Sequence, residues 1–126
     1  MLVVHDVLIC APLAIIFRMG DRQERLARNE AAARDINERL EEAHDAGPSD
    51  SYVRLTCECG REFCDRVVAI TITEYEEIRS DPLQFVVVRD HVIPDIERMV
   101  AETDRFVIVA KREGTPAAVA IEEDPR

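Results

Sequence analysis

Three cysteines within eight residues constrain this chain more than any other feature. They lie in the run Thr56-Cys57-Glu58-Cys59-Gly60-Arg61-Glu62-Phe63-Cys64-Asp65, a C-x-C-x4-C pattern. On a strand, residues two apart project from the same face, so Cys57 and Cys59 can aim both sulfurs at one point. Gly60 lets the backbone reverse, and the loop brings Cys64 back toward that point. A zinc ion takes about four ligands in a tetrahedron, and three cysteines with one histidine form an established structural set. The fourth ligand predicted here is His91, in a turn just past a strand that should neighbour the cysteine-bearing strands. His44 ends a helix and His5 lies in the opening segment, so both are worse placed. Asp65 and Asp90 are alternative donors to His91. The pattern therefore predicts a zinc-knuckle-like loop with Cys57, Cys59, Cys64 and His91 as metal ligands and zinc as the cofactor.

Two other readings compete for the same cysteines. Reduced thiols buried in a core need no metal. However, Glu58, Arg61, Glu62 and Asp65 predict an exposed loop, where clustered bare thiols would oxidise. A redox role would join Cys57 and Cys59 in a small, strained and easily reduced ring, with Cys64 as the resolving thiol.

The rest of the chain must build a scaffold around this loop. Its 126 residues suit one domain, and 47% apolar content supports a core. Residues 21–45 read as one long helix. Leu26, Ala33 and Leu40 recur every seven residues, and Asn29, Ile36 and Ala43 form a second row, which predicts an a/d seam. That helix either lies on the domain's own sheet or meets a protein partner or a second copy. Gly47-Pro48 ends it. From Ser51 the period becomes two: Val53, Leu55, Cys57 and Cys59 face one way, Tyr52, Arg54, Thr56 and Glu58 the other. Residues 66–70 form a second strand, and Thr71 with Glu74 makes a capping box for a helix ending at Arg79. Residues 84–88 are a third strand. Pro94 opens a helix with Ile96, Met99 and Val100 inside, and residues 105–111 are a fourth strand. Residues 117–121 form a fifth strand, with a helix as the alternative because of their alanines. The predicted class is α+β: one small mixed or antiparallel sheet of four to five strands, a long N-terminal helix and two short helices.

Residues 7–17 (VLICAPLAIIF) are too short to span a bilayer, and residues 1–6 lack the Lys or Arg of a secretory signal. They read as a buried strand or, the favoured reading, as part of an upstream extension covering residues 1–18, with the domain at 19–126. The net charge of −10 repels phosphate backbones, so sequence-independent nucleic-acid binding is disfavoured. Clustered thiols without an export signal place the protein in the cytoplasm.

Several segments resemble a group of short uncharacterised proteins from high-GC bacteria. The resemblance rests on RLARNE (Arg25–Glu30), CECG with a following cysteine (Cys57–Gly60, Cys64) and a T-x-x-EYE-x-x-R helix (Thr71–Arg79). It extends to P-x-x-FVV (Pro82–Val87), E-R-x-V (Glu97–Val100) and a terminal DPR (Asp124–Arg126). It covers residues 19–126 and implies the unity of that domain; it implies no activity.

The four glycines, 20, 47, 60 and 114, stand apart and build no phosphate loop, and H-E-x-x-H and G-x-S-x-G are missing. The function predicted from these features is a zinc-stabilised cytoplasmic binding or regulatory module working through protein–protein contacts. The alternative is a thiol-based redox sensor whose cysteines release zinc or form a disulfide on oxidation.

Overall fold

The computed structural model describes the backbone of residues 2–44 and 50–126 and the side chains of residues 22–44 and 50–126. Helix α1 (Leu2–His44) spans 43 residues, about 65 Å at 1.5 Å per residue. It is followed by β1 (Tyr52–Thr56), β2 (Val67–Thr71), α2 (Ile72–Arg79), β3 (Gln84–Val87), a 3-10 turn (Arg89–His91), β4 (Glu97–Glu102), β5 (Val107–Lys111) and α3 (Thr115–Glu122). The α+β class is as predicted, but the strands form two antiparallel sheets, β1-β2 and β3-β5-β4. They stay separate because the chain leaves the β1 ladder at Cys57 to build the cysteine loop; a Glu58 N–H donated to the Val86 carbonyl (2.7 Å) bridges them.

The capping box is present: Thr71 Oγ1 accepts from the Glu74 N–H and the Glu74 carboxylate accepts from the Thr71 N–H. Arg105 grips both Glu74 oxygens at 2.9 and 2.6 Å and so ties α2 to the β4–β5 turn.

Two predicted elements change type. The expected helix at 94–100 is a turn at 94–96 leading into the edge strand β4, and only Ile96 of its three apolar residues is buried. Met99 (49%) and Val100 (40%) are exposed, and pairing with β5 supplies the backbone partners. The strand expected at 117–121 is α3, begun by Gly114 at φ 102° and by proline in its first turn. The apolar run at 7–17 lies within α1, not in a strand. Among the described residues, no helix is long and apolar enough to cross a membrane.

The largest correction concerns which face of α1 is inside. Leu26, Ala33 and Leu40 are only partly buried, Ile36 is 50% exposed and Ala43 is exposed. The buried stripe is Ala27, Glu30, Ala31, Arg34, Asn37 and Glu41, with Glu30, Arg34 and Asn37 fully enclosed. The helix docks through polar groups matched to partners. Arg34 donates to the Pro82 (2.6 Å) and Ala120 (2.7 Å) carbonyls and lies 4.4 Å over the Phe85 ring. Lys111 donates to both Glu30 and Glu97, and burial drives Glu30 toward its protonated form against the pull of Lys111. Beneath this layer the core holds Leu55, Ile70, Tyr75, Phe85, Val86, Val107 and Val109.

Candidate metal centre

The structure brings together all four residues singled out in the sequence. Sγ of Cys57, Cys59 and Cys64 and a ring nitrogen of His91 all lie within 4.8 Å of one another. His91 Nδ1 stands 3.7 Å from Cys57 Sγ and 3.4 Å from both Cys59 Sγ and Cys64 Sγ. Around an ion held tetrahedrally at about 2.3 Å from sulfur and 2.0–2.1 Å from imidazole nitrogen, the nitrogen-to-sulfur edges measure about 3.6 Å. The donor set thus fits a tetrahedral metal ion. The cysteines are free thiols.

Each ligand arrives from a different local device. Cys57 and Cys59 follow directly from β1, keep its alternation and are buried to 2%. The Cys57 N–H donates to the Arg66 carbonyl (2.9 Å), which closes the base of the loop. Just before Cys64, Phe63 adopts φ 58°, the one positive-φ residue other than glycine among the described residues. That conformation costs a bulky residue about 1–2 kcal/mol, and it turns the chain so that Cys64 faces inward. His91 ends the 3-10 turn after β3, its N–H donating to the Val88 carbonyl at 3.0 Å. Arg61 reaches the Asp90 carbonyl (3.2 Å) and links the two loops.

Gly60 has a different purpose from the one its sequence suggests. A Cβ there would come within 2.9 Å of the Leu26 carbonyl oxygen, so glycine permits the loop to press against α1. Asn29 completes the contact by donating to the Gly60 carbonyl at 3.0 Å.

The surroundings hold the three sulfurs in different protonation preferences. The Val88 N–H donates to Cys57 Sγ at 3.3 Å. The Cys57 thiol, donating to Cys59, draws the Cys59 pKa down to about 5, helped by the Arg61 N–H and by Cys64 and His91. Cys57 itself rises far above the ordinary thiol range through that hydrogen bond and burial. Desolvation raises Cys64, with the Arg66 N–H opposing it. Cys59 is thus held toward the thiolate, the form that binds metal, while Cys57 and Cys64 are held toward the thiol.

The residue that sequence reasoning misplaced is Glu58. Alternation puts it opposite the two cysteines, on the face assigned to solvent, yet it is fully buried. Its Oε2 accepts from Asn37 Nδ2 (2.9 Å) and the Tyr75 hydroxyl (2.8 Å), and its Oε1 accepts from the Val86 N–H (3.0 Å). Asn37 also pairs with both backbone groups of Thr56 at 2.8 Å. One carboxylate between two ligands thus locks β1 to α1, α2 and β3. Beside the metal ligands runs an open groove of about 450 Å³, with Ala32, Ala33 and Ile36 on one side and Arg61, Glu62 and Phe63 on the other.

No protein-family model matches the chain, and neither a curated protein nor a solved structure does.

Proposed function

We propose that this chain is a zinc-stabilised binding or regulatory module of the cytoplasm, acting through protein–protein contacts. The observation that carries the metal part is the set of three sulfurs and one nitrogen, with the nitrogen 3.4 to 3.7 Å from each sulfur. Soft thiolates in a tetrahedron select zinc among the common divalent ions, with iron as the competitor. Four protein donors close the tetrahedron, which suits a structural ion better than a catalytic one that keeps a position open. The ion would tie the loop after β1 to the turn after β3, two segments far apart in the sequence. The interaction part is supported by the exposed side of α1 and the groove it forms with the cysteine loop.

A second reading, a thiol redox sensor, draws support from Cys64, which is only partly buried and lies at the groove. Two-electron oxidation of two thiols by a peroxide would form a disulfide and water, removing two ligands. Elemental mass spectrometry on untagged protein purified under reducing conditions, with a thiol count before and after denaturation, tests both. One zinc per chain with three masked thiols supports the module. Metal-free protein lacking two titratable thiols supports the sensor.

A further inference from the structure

The cysteine loop carries a side chain that the fold does not use. Phe63 is 98% exposed and is held in a strained left-handed conformation at φ 58°. The backbone strain serves the turn into Cys64, but the phenyl ring buries nothing within its own chain, and with Ile36 exposed nearby it makes an apolar patch on the surface. Phe63 stands on one side of the groove of about 450 Å³ beside the three cysteines, with Ala32, Ala33 and the exposed Ile36 on the other side. An apolar knob and a hole large enough to take a phenyl ring thus share one face.

We propose that two copies of this chain associate through this face about a two-fold axis, Phe63 of each entering the groove of the other beside Ala33 and Ile36. Self-association is favoured over a foreign partner because knob and hole are adjacent on the same surface. A rotation that fills one hole fills the other, as an isologous contact requires. Two buried phenyl rings remove about 300–500 Å² from water, which places the contact in the small, weak and transient class. Each copy carries a net charge of −10, so the pair repels at long range and salt should tighten the association. The inference rests on the metal reading for the rigidity of the loop.

Sedimentation velocity of the zinc-loaded full chain, from about 1 to 300 µM to span weak-interface affinities, tests it. The expected result is a monomer–dimer equilibrium that strengthens with added sodium chloride. Phe63→Gly, which adopts φ 58° without strain, should keep the fold and weaken the dimer at least ~10-fold. Ala33→Arg, which fills the hole, should weaken it similarly. Mixing these two variants should restore part of the association, because one knob and one hole remain intact between them. A monomer at every concentration, or a dimer indifferent to Phe63→Gly, overturns the proposal. Zinc measured in the same samples separates the two ideas. A zinc-loaded monomer overturns the dimer alone, and a zinc-free, Phe63-dependent dimer overturns the metal reading alone.

Discussion

Replacing Glu58 by alanine should cost about 3 kcal/mol and loosen the metal, although Glu58 is not a ligand. The carboxylate accepts from Asn37, Tyr75 and Val86 at 2.8 to 3.0 Å. After truncation Asn37 keeps the Thr56 carbonyl, but the Tyr75 hydroxyl and the Val86 N–H lose the acceptors Glu58 supplied. Stranding a buried donor costs about 1–3 kcal/mol, so two cost about 2–6 kcal/mol. Relief from burying a carboxylate, whose pKa is raised chiefly by desolvation, brings the expectation toward the lower half. Glu58→Gln keeps the shape, but its amide offers one oxygen where donors arrive at both, so a loss of about 1–2 kcal/mol is expected. Cys57 and Cys59 flank Glu58, so freeing that strand should weaken zinc about 10- to 100-fold, as changes in groups supporting metal ligands do. Urea unfolding in saturating zinc and competition with a chromophoric chelator read the two effects. An unchanged urea midpoint for Glu58→Ala, or a glutamine variant worse than the alanine one, would refute the reasoning.

Cys64→Ser should unfold or severely destabilise the domain, because metal-binding free energy is also folding free energy; an unchanged melting temperature contradicts this. His91→Ala should weaken zinc less than any cysteine change, since water can take the position of one nitrogen, and isothermal competition titrations give the ranking. Lys111→Met leaves Glu30 and Glu97 facing each other in the core without their shared cation and should cost about 3–5 kcal/mol in chemical denaturation. The Glu41 carboxyl is raised to about 8, first by burial and then by the neighbouring Glu76 carboxylate, against the pull of Arg126. Its folded form therefore holds a proton that the unfolded chain releases near the ordinary carboxylate pKa. Stability contributed by Glu41 should fall as pH rises from about 5 to 8, by about 2 kcal/mol once the ~4 kcal/mol that three pH units would carry is halved for solvent screening, and Glu41→Gln should flatten that slope in urea titrations.

The site was legible in the sequence because its chemistry is local. The spacing C-x-C-x4-C fixes three sulfurs on one strand end and one short loop, and His91 follows a strand whose neighbour could be inferred. The face of α1 was not legible, because the search for apolar periodicity assigns Glu30, Arg34 and Asn37 to water. They are inside only because the Lys111 amine, the Pro82 and Ala120 carbonyls and the Thr56 backbone meet them there. Glu58 was misread for the same reason. The β4 and α3 errors have another origin. Ile96, Met99 and Val100 satisfy a helical spacing, but an edge strand exposes two of them, and the short alanine-rich run after Gly114 carries no period long enough to decide.

X-ray absorption at the zinc edge of the reduced, untagged protein tests the central claim most directly. The account predicts three sulfur neighbours near ~2.3 Å and one nitrogen near ~2.0 Å, with the nitrogen shell lost in His91→Ala. A shell of oxygens, four sulfurs with no nitrogen, or no zinc in protein whose three thiols titrate freely would contradict it.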